Sequence, residues 1–258
     1  MTDYPTFIEK IHKKTGLDLS LYKEVQMKRR LTSLRNKRGF HSFNDYFQAI
    51  NNDLELLQEF LDKVTINVSE FYRNPVRWRV LEDKLLPPFK KSKKKIKIWS
   101  AACSTGEEPY TLAIIANQFW DLSDIEITAT DIDPNVLARA KQGIYNSRAL
   151  QEVPEPIKQK YFHQEGDTYR IDERLKQTIT FKEHNLLADQ YPKEVDLIVC
   201  RNVLIYFTEE AKTRIYHQFS DALTNDGIFF VGSTEQIFSP ERYGLKALDT
   251  FFYEKNKN

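Results

Sequence analysis

The sequence predicts an α/β protein. Its main part is a Rossmann-like, largely parallel sheet covered by helices on both faces. A small antiparallel β-subdomain is inserted in the sheet, and a small all-helical domain precedes it. Three observations carry this. From residue 97 onward, short apolar runs alternate with helical stretches, which implies parallel strands joined by crossover helices. Before residue 86, apolar residues recur at helical spacing with few turn signals. Between about 146 and 185 the alternation breaks into strand-like segments with a charged connection. A chain of 258 residues has room for one large and one small domain. The expected organisation is therefore 1–86 helical and 87–258 sheet-forming, with the insertion at about 146–185.

In the helical part, Gly16 and Gly39 each follow a basic stretch, as helix C-caps often do. Ser42 suits the N-cap of a helix that starts at Phe43. Leu54, Leu57, Leu61 and Val64 share a helical spacing and predict an amphipathic helix over 53–65. Another helix is expected over 76–86, stopping at Pro87 and Pro88 because proline lacks the N–H. The lysine run 90–97 reads as a solvated linker. Strands follow at 97–101, 125–130, 195–200, 228–232 and 248–253, with helices at 109–120, 134–144 and 209–223. The insertion should hold a helix at 155–162 and strands at 168–171 and 178–181.

Composition excludes several classes. Two cysteines, Cys103 and Cys200, are too few for a disulfide scaffold and read as small packing residues. The N-terminus lacks a signal-peptide core, and no apolar run approaches the roughly 20 residues that span a bilayer. These features predict a soluble, cytoplasmic chain with no direct membrane insertion. His12, His41, His163, His184 and His217 have no metal-ligand spacing, so no metal is expected.

The turn after the first strand, 99–109, is rich in small residues, which lets a ligand approach the backbone beyond the strand ends. Glu107 and Glu108 open the following helix. They would repel a phosphate, the usual guest of such a helix start, and would welcome a cation such as an ammonium or a sulfonium. Stabilising the helix dipole is an equally good account of both. Asp131, at the end of the second strand, has the position of a ribose-binding carboxylate, while Asp133 better suits the N-cap before Pro134. The two motifs together indicate a nucleoside-bearing cofactor.

Four segments in order carry a resemblance: 65–73 (TINVSEFYR), 100–110 (SAACSTGEEPY), 129–133 (ATDID) and 200–207 (CRNVLIYF). Together they resemble the CheR family of chemotaxis receptor protein-glutamate O-methyltransferases over essentially the whole chain. The resemblance implies an S-adenosylmethionine-dependent methyltransferase sheet, S-adenosylhomocysteine as product, and glutamate methyl esters on receptors as the outcome. It implies that Asn67, Ser69 and Arg73 close over the cofactor, with Arg73 near the transferred methyl. It implies that Glu107 holds the methionyl amino group, that Asp131 takes the ribose, and that Asn185 and Leu186 contact adenine. Arg201 and Asn202 follow the fourth strand, with Tyr206 near the methyl group. Some family members tether to a receptor pentapeptide through a longer glycine-rich loop in the insertion. Here 164–168 is short with one glycine, so no such tether is expected.

The chemistry agrees with these residue types. A glutamate carboxylate, with a reference pKa of about 4.3, is already a nucleophile at neutral pH. Methyl transfer to it needs in-line placement rather than a base. Arg73 and Tyr206 are therefore expected to orient the carboxylate. Docking is expected through the basic helix 23–38, with Lys23, Lys28, Arg29, Arg30 and Arg35 facing an acidic receptor bundle. The expected location is the cytoplasm, with recruitment to membrane receptor clusters. One rival reading is a nucleic-acid methyltransferase, but the segment after the fourth strand, 200–203 (CRNV), lacks the Pro-Pro-aromatic motif of amine-directed enzymes. The other rival is a non-catalytic S-adenosylmethionine-binding adaptor.

Overall fold

A computed structural model describes residues 3–65 and 69–256. The chain opens with α1 (Tyr4–Thr15), α2 (Glu24–Lys37), α3 (Phe43–Asn52) and α4 (Leu54–Thr65). Gly16 ends α1 at φ +73°, donating its N–H to the His12 carbonyl at 2.8 Å. Ser42 caps α3 by accepting from the Asp45 N–H at 3.0 Å. These helices bury Phe7, Ile11, Leu31, Tyr46, Phe60 and Val64 in one core. Leu54, expected on the apolar stripe of α4, is 82% exposed. The buried stripe runs instead through Phe60 and Val64, with Leu57 and Leu61 at its margin.

The next helix differs from expectation. α5 (Pro75–Val80) passes through a π turn, Leu81–Leu85, into α6 (Leu86–Ser92), so Pro87 and Pro88 do not end it. They occupy the first turn of a new α segment, where the missing N–H groups cost little. The wider π turn absorbs the change in the hydrogen-bond ladder. The division of the core differs as well. Phe71, Trp78, Leu81 and Leu86 pack in the same cluster as the sheet residues Ile98, Ile127 and Phe230. By packing, the break between the two bodies therefore precedes residue 69 rather than following residue 86. The lysine run is no free linker: Lys93 pairs with the buried Asp196, which also accepts the Lys97 N–H at 2.9 Å.

The second body holds β1 (Ile96–Ala101), α7 (Glu107–Ala116), β2 (Ile125–Asp131), α8 (Pro134–Gln142), β3 (Ile144–Asn146) and α9 (Glu155–Tyr161). It continues with β4 (Phe162–Glu165), β5 (Thr168–Ile171), α10 (Glu173–Lys176), β6 (Ile179–Glu183) and β7 (Val195–Cys200). It closes with α11 (Glu209–Ala222), β8 (Leu223–Val231), β9 (Leu245–Asp249) and β10 (Phe252–Lys255). The seven-stranded sheet has the order β6-β2-β1-β7-β8-β10-β9. Its first five strands are parallel, and β10 and β9 are added antiparallel. Every residue of β7 is buried, as expected for a central strand covered on both faces.

Two further expectations are corrected. The antiparallel insertion is β3-β5-β4, spanning 144–171, and the strand expected at 178–181 leaves it. As β6 that strand pairs parallel with β2, Ile179 opposite Ile127, and takes the edge of the main sheet. The segment expected as one strand at 248–253 is instead split by the β9–β10 hairpin turn at 250–251, with Phe251 at φ +71°. Strand order reverses between β1 and β7, which opens a crevice beyond their carboxyl ends.

Candidate functional site

That crevice holds a cavity. The β1–α7 turn supplies Ala102, Cys103 and Ser104, and β2 ends in it with Asp131. His184, Asn185 and Leu186 follow β6; Arg201, Asn202 and Tyr206 follow β7. The helical body covers it with Tyr22 and Val64, and the segment leading into α5 adds Ser69 and Arg73. Asn67, expected here, lies outside the described residues. The two bodies are stitched beside the cavity: the Lys23 N–H donates to the Tyr206 carbonyl and the Thr208 N–H to the Leu21 carbonyl, both at 2.9 Å.

Strained backbone gathers around this space. Ala102 (φ +60°), Ser104 (φ +50°) and Asn202 (φ +62°) line it, and Tyr72 (φ +53°) and Asn74 (φ +61°) flank Arg73. Non-glycine residues adopt this region only where surroundings impose it, and such strain clusters at functional sites. Gly106, at φ +97°, has a further constraint, since a Cβ there would come within 2.9 Å of the Ala140 Cβ and the Tyr145 hydroxyl.

Asp131 is buried and accepts from the Ser104 N–H at 2.8 Å and the Asp133 N–H at 3.1 Å. Burial pushes its carboxyl up to about 6, against the pull of those two amides. Each oxygen keeps lone pairs for a further donor. Glu107 and Glu108 separate in role. Glu107 is turned to the Thr105 hydroxyl at 2.7 Å and to Ser69, and burial raises its carboxyl. Glu108 lines the cavity, accepts from Ser100 at 2.8 Å, and is pushed up to about 7 by burial, with Arg201 at 3.8 Å pulling the other way. Glu108 on the cavity wall, with Glu107 buried behind it and only a long contact to Arg201 against it, suits a cationic ligand.

Arg201 is held by more than charge. Its guanidinium lies 5.0 Å from the Trp78 ring and 4.8 Å from Phe230, and it donates to the Arg73 carbonyl at 2.7 Å. It thereby fixes the backbone that presents Arg73. Several buried side-chain atoms on cavity-lining residues have no hydrogen-bond partner among the described residues: Ser104 Oγ, His184 Nδ1, Arg201 Nε and Asn202 Oδ1. Buried polar groups are normally satisfied, so their concentration here fits a polar ligand such as the nucleoside cofactor. The Cys103 thiol is raised by burial and then by Asp131 and Glu108, which fits a packing role rather than a thiolate.

Sequence reasoning missed Tyr22, His184, Glu108 as the cavity-facing acid, and Glu235. Tyr22 carried no signal because it reaches the cavity from the far body. The basic helix also resolves into unlike residues. Arg29 is exposed and Lys28 lies 5.3 Å from the Tyr4 ring, whereas Arg35 lies 4.6 Å from the Phe43 ring. Arg30 does not face outward. It lies 5.3 Å from the Tyr206 ring and donates to the Val64 carbonyl at 3.2 Å, so it joins α2, α4 and the β7–α11 loop.

Comparison with known proteins agrees with this architecture. Residues 67–251 match the CheR methyltransferase SAM binding domain, and residues 2–65 match the CheR methyltransferase all-alpha domain. A chemotaxis protein methyltransferase of Listeria innocua is 46% identical, covering 98% of this chain and 97% of its own. One from Listeria monocytogenes is 45% identical, with the same coverage. One from Borreliella burgdorferi is 33% identical over 89% of this chain and 86% of its own. The two matched regions meet at residues 65–67, which agrees with the break seen in the packing.

Proposed function

Since the chain belongs to the CheR methyltransferase family and is an S-adenosylmethionine-dependent methyltransferase of chemotaxis, we propose that it esterifies glutamate side chains on membrane chemotaxis receptors. One observation carries this reading. Arg73 and Tyr206, from segments more than 100 residues apart in sequence, line the same cavity as Asp131 and Glu108. A carboxylate entering beside Arg73 and Tyr206 meets a ligand held from the opposite side.

The cavity lining supports the following roles. Asp131 accepts from the ribose hydroxyls. Glu108, with Glu107 behind it, balances the methionyl ammonium. Asn185 and Leu186 border the adenine, and Asn202 and Ser69 close the cavity. S-adenosylmethionine held there would supply a methyl group activated by its sulfonium, the S–CH3 bond breaking as a carboxylate O–CH3 bond forms and S-adenosylhomocysteine remaining as product. Arg73 and Tyr206 would orient the substrate carboxylate for that transfer. The reaction neutralises two charges, so a group that gripped the carboxylate too tightly would favour the ground state. No proton moves, and no metal is required.

Docking is proposed through the outward residues of α2, Lys23, Lys28 and Arg29, with Arg35 at its C-terminal end, facing an acidic helical bundle. Encounter with such a bundle would slow as salt rises. The β4–β5 connection is a tight hairpin with Glu165 opposite Thr168 and Gly166 at φ +60°, which supports docking without a pentapeptide tether. Among the described residues no helix is long and apolar enough to cross a membrane, so receptor clusters are proposed as its route to the membrane. The test is incubation with cofactor radiolabelled in the methyl group, plus receptor-containing membranes or RNA. Base-labile label on receptor protein is expected. Label on RNA, or on neither, would overturn the reading.

A further inference from the structure

The loop after β7 carries Asn202 and Tyr206 into the cavity, yet it is a poor candidate for holding itself in place. Asn202 sits at φ +62° and Val203 at the start of a 3-10 turn. A single side chain gathers them. The buried Glu235, 5% exposed, accepts from the N–H of Asn202 at 2.6 Å, Val203 at 2.8 Å and Ile205 at 3.3 Å. Its Oε2 also accepts the Gly232 N–H at 2.8 Å, from the end of β8. One carboxylate thus ties the end of β8 to the loop that follows β7.

We infer that Glu235 is the positioning residue of this methyltransferase, holding the β7–α11 loop so that Asn202 and Tyr206 face the cofactor and substrate. Glu235 is not among the cavity-lining residues, so it acts through the loop rather than on the reacting atoms. Two features argue that the contact is built rather than incidental. Hydrogen bonds to an ionised acceptor are about twice as strong as neutral ones, and a carboxylate with converging amides can stabilise a backbone in an otherwise disfavoured conformation. The approach also dictates the residue opposite: a Cβ on Gly232 would lie 2.4 Å from the Glu235 Oε2 and 2.8 Å from the Asn202 nitrogen. Only glycine leaves room for the clamp.

The clamp makes a prediction that a purely stabilising contact would not. In Glu235→Gln the amide NH2 faces backbone donors, so part of the set is lost while volume is kept. The loop then samples other positions, and the fraction of bound complexes with Tyr206 in place falls. Turnover at saturating cofactor, measured well below the melting temperature on protein of native circular dichroism, is expected to fall by about tenfold or more. Amide hydrogen exchange at 202–205 should quicken in the same protein, while exchange within β1 and β2 stays as in the wild type. Gly232→Ala attacks the same contact from the other partner and should give the same kinetic signature with Glu235 intact.

S-adenosylhomocysteine binding by calorimetry separates this inference from the reading of the substrate. If no receptor is methylated by the wild type, the substrate reading fails, and the clamp is then judged by cofactor affinity and loop exchange alone. Turnover of Glu235→Gln within about twofold of wild type, or exchange at 202–205 unchanged where the receptor assay fails, overturns the positioning role.

Discussion

Replacing Glu108 by Gln removes a charge from the cavity with little change of shape. In the unliganded protein this carboxyl titrates at about 7 rather than 4.5, chiefly because it is buried, with Arg201 and Ser100 pulling it down. At pH 5 about one such carboxyl in a hundred is ionised, and at pH 8 about nine in ten. A bound ammonium needs the ionised form. Glu108 should therefore raise affinity for S-adenosylhomocysteine by up to about 90-fold between pH 5 and pH 8, or ~2.7 kcal/mol. Asp131, at about 6, adds up to roughly tenfold, mostly in the lower half of that window. For the free protein the sign is opposite. A folded-state value above the ordinary one means that the proton is favoured by folding. The stability this group contributes is present below pH 4.5 and is lost as pH rises through about 7. Calorimetric titration from pH 5 to pH 8 checks the argument. The variant should lose the steep part of that rise and keep the shallower contributions of Asp131 and Glu107. A variant profile as steep as the wild type's, or a flat wild-type profile, would refute the assignment of the cation to Glu108.

Tyr206→Phe should lower turnover by about tenfold or more while leaving S-adenosylhomocysteine affinity nearly unchanged, because the hydroxyl is assigned to the substrate carboxylate; equal losses in methyl-transfer rate and calorimetric affinity would reject that assignment. Gly106→Ala should destabilise the fold by about 2–4 kcal/mol in urea unfolding, from left-handed backbone plus overpacking against Ala140 and Tyr145. A loss below about 0.5 kcal/mol would mean that the β1–α7 turn relaxes freely.

Much of the site was legible because its residues sit where strands end. Asp131 ends the second strand and the acidic pair follows a small-residue turn, so local pattern placed both where the structure has its cavity. The resemblance then named Arg73, Arg201, Asn202 and Tyr206. What escaped was anything decided by side-chain direction at one position. Glu107 and Glu108 are adjacent on a helix start, about 100° apart, and only packing determines which faces the cavity. Arg30 reads as one more surface charge until α4 and Tyr206 surround it. Glu235 had no signal, since three of its four amide partners lie 30 to 33 residues earlier.

By itself the sequence determined the class of the fold, the alternation that makes its sheet parallel, and the chemistry of the turn that receives a cationic nucleoside. These depend on periodicity and on residue types within a few positions, where the physics is local. Tertiary structure alone decided that 71–92 packs with the sheet, that β6 leaves the insertion for the sheet edge, and that 248–253 is divided by a hairpin turn. It also decided how the strained loop after β7 is held. Each of these is a choice among partners distant in sequence, settled by which apolar face or buried amide finds its match once the chain is compact.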